Sequence, residues 1–398
     1  MVDPIEEEQK EIERCRRMAR LYEDSLPIDK KKIVFSQFGG NGYGCNLKAI
    51  ADELLRRGLE KEYDLVWVLK KNTVLKNAGL PKGVRGVTSD GTNGLRELLT
   101  AKMWINNIHF NQLIDRGLVK REGTVYINTF HGGIAIKHEG TDKNTYDSSR
   151  ALKKKEEMHH RDSEFVDYII SSCDLGDHVL REFFYGHGEI VRLGDARNDI
   201  LINGSDELVK KVRKKLRIPD GTRIVMYAPT FRSDMSLQWY DLDYEGLVEQ
   251  LESMTGTPWV MLVRLHPRLA KKSAQLIPNS PKFLDVSRYL DVQELSLISD
   301  MLISDYSSVA TDYLLTRKPA FLYVPDLDFY TEQRGTYFPL DELPFSYATT
   351  NAALLKEIEG FDHQRYIKRV DEFLKKINYL EDGKSAERAV DFIVSKMQ

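Results

Sequence analysis

The chain has 398 residues, long enough for two domains of ordinary size, and its composition is that of a globular protein. Hydrophobic residues make up 41% and charged residues 30%, and 58 Lys and Arg against 61 Asp and Glu leave a net charge of −3, which gives no argument for nucleic acid as a partner. Three cysteines without metal-ligand spacing do not suit a disulfide framework, so a reducing cytoplasm is expected.

The N-terminal segment is charged throughout. It lacks the apolar stretch of a secretory signal, and its helical rhythm predicts a leading helix over 4–26. No run of about 18 apolar residues occurs in the sequence, which is the length needed to cross a bilayer. Any membrane contact is therefore expected to be peripheral.

Short apolar strands alternate with helices in the first half. The predicted strands are 33–38, 64–69, 103–107, 124–130 and 167–172, with a strand-like turn near 84–87. The predicted helices are 46–57, 92–100 and 175–185. The polar region 138–164 interrupts this pattern, although a helix is possible within 151–163. Alternation of this kind predicts a mainly parallel sheet with helices on both faces.

A second alternating series follows the segment 191–201. Its predicted strands are 223–229, 259–267, 283–286, 301–304 and 319–325. Its predicted helices are 244–254, 291–299, 309–316, 351–360, 363–378 and 384–397. We predict an N-terminal helix over 1–29 and two Rossmann-like domains over 30–195 and 196–398, with a ligand in the cleft between them.

The segment 299–319 predicts a phosphate site. A short strand runs into Ser307 and Ser308, whose hydroxyls open a helix, and the first-turn N–H groups of a helix lack internal partners and attract anions. Ser307 could instead be an ordinary N-cap of a buried helix. Two neighbouring strand ends add Arg232, Arg264 and His266, so the three ends together predict a pyrophosphate cradle. For Arg264 and His266 the alternative is a satisfied surface pair.

The predicted strand 124–130 ends at His131, which two glycines follow. A histidine in this position suits a general base because its pKa lies near neutrality, although a capping or core histidine is the alternative. The loop 39–44, GGNGYG, lacks the spacing of a dinucleotide fingerprint, and we interpret it as a close-approach loop that lines the cleft. His138, His159 and His160 do not predict a metal site, because adjacent histidines on a helix cannot both face one ion.

Six segments, taken together, resemble the CDP-glycerol glycerophosphotransferases of teichoic acid and capsule synthesis. They are FHGGIAIK at 130–137, GDARND at 194–199, YAPTFR at 227–232, RLHPR at 264–268, the stretch 291–319 and the stretch 321–344. The chain departs from the family at Phe130, where Trp is usual, at Gly133 and Ile134, where Thr-Pro is usual, and at Ala196, where Pro is usual. Most of these positions lie on the acceptor side.

The resemblance implies an α/β fold of the GT-B type, with two mainly parallel sheets facing a central cleft. The first domain is then expected to hold the acceptor and the second domain the cytidine nucleotide. It implies His131 and His266 as the essential pair, with Arg232, Ser307 and Ser308 on the donor phosphates. We also assign four further residues to the donor side: Thr230, Ser304, Asp305 and Asp312. To the acceptor side we assign Gly39, Gly40, Gly132, Gly133 and Lys137.

The predicted reaction is attack of an acceptor hydroxyl, deprotonated by His131, on the β-phosphorus of CDP-glycerol with release of CMP. We expect neither cofactor nor metal, because His266, Arg232 and Arg264 can neutralise the phosphate charge. A related transferase using CDP-ribitol or a UDP-sugar is one alternative, and a nucleotide-binding module without turnover is another. The expected acceptor is a lipid-linked saccharide or growing polymer at the inner face of the cytoplasmic membrane, with residues 150–161 and the leading helix as contact candidates.

Overall fold

A computed structural model describes most of the chain. The described residues are 4–71, 75–76, 78–89, 91–139, 150–232, 236–269 and 272–398. Of the polar region predicted to interrupt the first half, 140–149 lies outside this set. The described helix that follows it confirms the helix predicted within 151–163.

The first half forms a seven-stranded sheet in which all neighbouring strands run parallel. Its order is β3-β2-β1-β4-β5-β6-β7, with Val34 of β1 opposite Trp104 of β4. The strands are β1 (Asp29–Ser36), β2 (Asp64–Leu69), β3 (Val84–Thr88), β4 (Ala101–Asn106), β5 (Val125–Asn128), β6 (Tyr168–Ser171) and β7 (Glu189–Arg192). The helices are α1 (Pro4–Ser25), α2 (Cys45–Arg56), α3 (Asn93–Leu99), α4 (Asn111–Asp115), α5 (Arg150–Ser163) and α6 (Asp174–Phe183).

The second half forms a six-stranded parallel sheet in the order β10-β9-β8-β11-β12-β13. Its strands are β8 (Arg223–Tyr227), β9 (Trp259–Val263), β10 (Phe283–Asp285), β11 (Met301–Ser304), β12 (Ala320–Tyr323) and β13 (Ser346–Ala348). The remaining helices are α7 (Asp199–Asn203), α8 (Asp206–Leu216), α9 (Tyr244–Thr255), α10 (Val292–Ile298), α11 (Ser308–Tyr313), α12 (Leu327–Gln333), α13 (Asn351–Glu359), α14 (His363–Lys376) and α15 (Ser385–Met397).

Alternation of side chains divides each sheet between two cores. In β1, Ile33 and Phe35 pack with α2 on one face, whereas Val34 packs with α1 and α3 on the other. Both faces of a central parallel strand are covered by helices, which explains why these strands read as unbroken apolar runs. The two α/β halves confirm the predicted fold class. The patterns missed β7, β13, α4, α7, α8 and α12, which are short or strongly charged.

Two segments pack in a different half of the molecule from the one expected from their place in the sequence. Ile134 and Ile136, which follow β5, lie in the core of the second half. The last helix, α15, was grouped with the second domain, but its Ala389 and Ile393 pack with α2 on the first sheet. The predicted domain boundary near residue 195 stays a prediction, while the chain evidently crosses between the halves more than once.

A buried ion-pair network joins the two halves around Arg197, which is 4% exposed. Its Nη1 lies 2.7 Å from Asp195 Oδ1, and its Nη2 lies 3.0 Å from Asp312 Oδ1. Its backbone N–H donates to Asn46 Oδ1 in α2, and Gln293 Nε2 donates to Asp312 Oδ2. Although burial opposes the charge, the two carboxylates hold the pKa of Arg197 above its ordinary value. The network therefore contains a cation that two acids on different elements share.

None of the helices in the described part of the chain combines the length and apolar character needed to cross a bilayer.

Replacing Arg197 with Met should lower the free energy of unfolding by about 3–5 kcal/mol, because Asp195 and Asp312 are left buried without their cation. The matched control is Lys282→Met, which removes the partner of Glu252 from an ion pair at the surface and should cost less than about 1 kcal/mol. Chemical denaturation of both variants measures the difference. If both variants lose the same small amount of unfolding free energy, the Arg197 network does not stabilise the junction between the halves.

Candidate active site

His131 lies at the tip of β5, where the backbone turns sharply. Phe130 just before it has a left-handed φ of 49°, and the rings of Phe130 and Phe38 pack against the imidazole with centroids 4.6 and 5.2 Å away. His131 Nδ1 is 2.9 Å from the backbone oxygen of Asn107. A carbonyl only accepts, so Nδ1 carries the proton and Nε2 is left as the basic nitrogen.

The loop that supplies this carbonyl is held by a buried His–Asp pair that the sequence analysis missed. His109 Nδ1 lies 2.7 Å from Asp162 Oδ2 in α5, and Asp162 Oδ1 accepts the backbone N–H of Phe110. The His109 ring also stacks on His159 and on Phe183, with centroids 4.2 and 4.9 Å apart. Asp162 thus fixes the loop after β4, and with it the orientation of His131. No sequence spacing could have signalled this, because the two residues lie 53 positions apart.

Burial lowers the pKa of His131 below its ordinary value, against opposing contributions from the Asn107 carbonyl and from Glu139. The positive charges of Arg197 and Lys137 act in the same direction as burial. His131 is therefore neutral at physiological pH, the state in which Nε2 can accept a proton.

The two glycines after His131 are places of close approach. A Cβ on Gly132 would lie 3.0 Å from Ser308 Oγ, across the gap between the halves, and a Cβ on Gly133 would lie 2.3 Å from Asp195 Oδ2. Neither contact leaves room for a side chain without a shift. The predicted base and the predicted phosphate-binding serines are therefore brought together, as the sequence analysis expected.

Ser307 and Ser308 stand at the start of α11, directly after β11. Ser307 is the N-cap, and its hydroxyl accepts the N–H of Val309 at 3.4 Å. Both serines are only half-buried, so their hydroxyls remain accessible. The N-cap alternative and the phosphate-site prediction are thus compatible, because one oxygen can cap the helix and still donate its proton to an anion.

Lys137 acts electrostatically on both predicted catalytic histidines. Its positive charge lies near enough to both His131 and His266 to lower the pKa of each. Lys137 Nζ lies 3.3 Å from Glu139 Oε1, and its backbone pairs with Thr336 of the second half. The strand-like contact fixes the lysine between the halves. In sequence the two histidines are 135 positions apart, so this proximity depends on the fold.

His266 and Arg264 leave β9 on the second half. His266 is exposed and its ring packs 4.8 Å from that of Phe231. Desolvation of the imidazole by the neighbouring protein, together with the charge of Arg268, lowers its pKa. Arg264 Nη1 donates to the carbonyls of Tyr289 and Val286 at 2.5 and 3.3 Å. Burial lowers the pKa of Arg264, yet the guanidinium remains a cation at neutral pH.

Arg232 is buried and paired with two carboxylates, unlike a side chain that is free to bind a phosphate. It is 6% exposed, and its guanidinium pairs with Asp326 at 2.7 Å and with Asp305 at 2.9 Å. Asp305 also accepts both the backbone N–H and the hydroxyl of Thr230, while the Ser304 hydroxyl donates to a backbone carbonyl. These side chains hold the ends of β8 and β11 together. Their contact with the donor stays a prediction, because in this arrangement each of these side chains already bonds to another side chain or to the backbone.

Asp312, also predicted on the donor side, belongs to the Arg197 network and is 4% exposed. Among the predicted acceptor-side glycines, Gly40 has a φ of 86°, and a Cβ there would lie 2.4 Å from the backbone nitrogen of Lys70. Gly39 has a φ of 63° and more open surroundings. The loop 39–44 is therefore shaped by its packing on β2, and Gly42 reaches the second half at Leu290.

A sequence model of the CDP-glycerol:poly(glycerophosphate) glycerophosphotransferase family matches residues 19–395. The chain belongs to this family. It resembles the teichoic acid poly(glycerol phosphate) polymerase of Bacillus subtilis (28% identity, covering 92% of this chain and 49% of that one) and that of Bacillus spizizenii (26% identity, 92% of each). A ribitol-phosphate polymerase of Staphylococcus aureus, TarL, is 27% identical over 90% of this chain and 61% of its own length. The chain thus spans about half the length of some of these relatives.

The solved structures that resemble the chain include the wall teichoic acid polymerase TagF. A TagF variant with asparagine in place of a histidine, soaked with CDPG, matches with a TM-score of 0.82 and 26% identity over 96% of this chain and 93% of that one. The Staphylococcus aureus MnaA–UDP structure matches with a TM-score of 0.51 and 14% identity over 91% of this chain and 96% of that one, a likeness of fold alone. Both halves of the chain are included in each match.

His131 should titrate below about 6.5, the ordinary histidine value, because burial disfavours the imidazolium. Carbon-13 NMR of histidine-labelled protein measures the midpoint, and His131→Gln assigns the resonance. A midpoint at or above about 6.5 would contradict a neutral, buried imidazole with a free Nε2.

Proposed function

We propose that the chain is a transferase that moves glycerol phosphate from CDP-glycerol to a hydroxyl of a growing teichoic acid or a lipid-linked saccharide and releases CMP. The observation that carries the proposal is the placement of His131, whose Nε2 is basic, directly before Gly132, which closely approaches Ser308 of the second half. Family membership supports the donor, and the resemblance to poly(glycerol phosphate) polymerases supports a polymeric acceptor.

In the proposed reaction His131 Nε2 accepts the proton of the acceptor hydroxyl. The hydroxyl oxygen forms a bond to the β-phosphorus, the bond from that phosphorus to the bridging oxygen breaks, and CMP leaves with the bond's electron pair. Phosphoryl transfer of this kind demands positioning and charge stabilisation more than covalent chemistry. The Asn107 carbonyl aids positioning because it holds the imidazole in one tautomer and one orientation.

The charges for the phosphates come from the second half and from Lys137. Ser307 and Ser308 donate hydrogen bonds to the phosphate oxygens, Arg264 and Lys137 supply positive charge, and His266 donates a hydrogen bond to the developing negative charge. We assign Arg232, Thr230, Ser304 and Asp305 to the support of this surface, because Asp305 bonds to both Arg232 and Thr230 and the Ser304 hydroxyl donates to the Ala228 carbonyl. The proposal includes no cofactor and no catalytic metal, since these side chains supply the required charge.

Ribitol phosphate is the second transferable group to consider. Two Staphylococcus aureus ribitol-phosphate polymerases match 90% of this chain at 26% and 27% identity, similar to the values for the glycerol enzymes. The two donors share the CDP end and differ only in the polyol. The predicted donor surface of Ser307, Ser308 and Arg264 therefore does not discriminate between them.

A peripheral location at the inner face of the cytoplasmic membrane is proposed from the nature of the acceptor. On the chain itself, α1 carries Leu21 with 56% of its surface exposed, and the sequence of α5 includes the basic run Lys153–Lys155. Both helices could contact anionic headgroups.

The transfer assay combines the purified chain with CDP-glycerol and a set of lipid-linked acceptors, with CDP-ribitol and a UDP-sugar as parallel donors. Product masses should rise by glycerol phosphate units with stoichiometric CMP release. His131→Ala should lower turnover by about 10²–10⁴-fold and leave CDP-glycerol affinity nearly unchanged, because the general base is lost but the donor surface is intact.

The matched control is His363→Ala, which alters an exposed histidine at the start of α14 and should retain full turnover. Turnover retained by His131→Ala would remove His131 as the base. If nucleotide is released faster from CDP-ribitol or the UDP-sugar than from CDP-glycerol, that donor supplies the transferred group in place of glycerol phosphate. If the chain binds donors without any turnover, it is a nucleotide-binding module.

Changing Ser307 and Ser308 together to Ala should weaken CDP-glycerol binding about tenfold or more, because hydrogen bonds to charged phosphate oxygens are lost. Titration calorimetry measures the affinity. Thr350→Ala is the control, because the Thr350 hydroxyl caps α13 in the same way, accepting the Ala353 N–H at 3.2 Å. If both variants bind the donor like the unmodified chain, the serines only cap their helix.

A further inference from the structure

A cluster of metal-binding side chains lies on the first half, at the end of α5. His160, Glu164 and His187 each offer a ligand atom, and these atoms all lie within 4.8 Å of one another. The sequence analysis considered His160 together with His159 and His138. The structure separates these groups, because His159 stacks on the buried His109 while His160 faces His187, with ring centroids 5.6 Å apart.

Two of the three ligands come from one helical turn. His160 and Glu164 are four residues apart, the Glu164 N–H donates to the His160 carbonyl at 3.2 Å, and His160 Nδ1 lies 3.3 Å from Glu164 Oε1. Residues with this spacing share a face of a helix. An imidazole and a carboxylate therefore project together from the end of α5.

The third ligand is held by a tight turn between α6 and β7. Tyr185, Gly186 and Gly188 have positive φ values of 52°, 76° and 78°, and the His187 N–H donates to the Phe184 carbonyl at 2.9 Å. The Tyr185 ring packs 5.0 Å from that of His160. A left-handed conformation at a tyrosine is uncommon, and here it directs the turn so that His187 reaches α5.

We propose that His160, Glu164 and His187 form a zinc-binding site that fastens the end of α5 to the turn before β7. Two imidazoles and a carboxylate suit Zn²⁺, whereas Mg²⁺ and Ca²⁺ prefer sets of oxygen ligands. His160 and Glu164 are exposed and His187 is half-buried, so the ion can enter from solvent and water can complete the coordination.

The site differs from the proposed active site in its residues and in its effect. None of its three ligands is among the groups around His131, so the zinc proposal does not rest on the transferase activity. Its link to the rest of the fold is α5 itself, which carries Asp162 towards His109. Bound zinc would stabilise the folded chain, because it binds the native arrangement and not the unfolded one.

Titration calorimetry of the tag-free, metal-stripped chain with ZnCl₂ tests the proposal. One zinc ion should bind per chain, and MgCl₂ at the same concentration should give no saturable heat. His187→Ala and Glu164→Gln should each weaken binding at least about tenfold. The exposed control His363→Ala should bind zinc as the unmodified chain does.

Cobalt substitution gives a second reading of the same site, since visible absorption of bound Co²⁺ reports its nitrogen and oxygen ligands. The spectrum of the unmodified chain should change in His187→Ala, whose circular dichroism should match the unmodified protein and so exclude misfolding. Absence of saturable zinc binding overturns the proposal. Equal zinc affinity in the unmodified chain and in a folded His187→Ala variant overturns it as well.

Discussion

A single buried cation underlies the arrangement of the two halves. Arg197 lies where the chain passes from the first sheet to the second, and its guanidinium bonds to Asp195 beside it and to Asp312 in α11. A charge buried in this way is tolerated only when its partners are in place, so the position of α11 relative to the first half is specified by hydrogen-bond geometry. Ser308, which begins α11, is thereby set opposite Gly132.

The same junction explains how the predicted base faces the predicted phosphate surface. His131 takes its orientation from the first half, through Asn107 and the His109–Asp162 pair. The residues after it, from Ile134 onward, pack in the second half. A short chain segment therefore carries both the base and the docking contact, and Lys137 lies in it.

The sequence predicted the parts of this arrangement that depend on local pattern. Apolar strands and polar strand ends located His131, Ser307 and His266, because the carboxyl ends of parallel strands collect at one edge. Pattern could not show that Arg232 is engaged by Asp326, 94 positions away, or that Asp162 supports His109. Such pairs depend on the packing of distant elements, and neither spacing nor composition records them. The short strand β7 and the charged helix α8 were missed because weak or highly charged patterns resemble loops.

The return of α15 to the first sheet has a mechanical consequence. The chain leaves the first half near Arg197 and comes back near Leu380, where the Leu380 N–H donates to the Ser172 carbonyl at 2.7 Å. The second half is accordingly an insert attached at two neighbouring points instead of one. A double attachment allows rotation about the line through both points and resists rotation about axes perpendicular to that line, so opening and closing of the cleft is restricted to one principal direction.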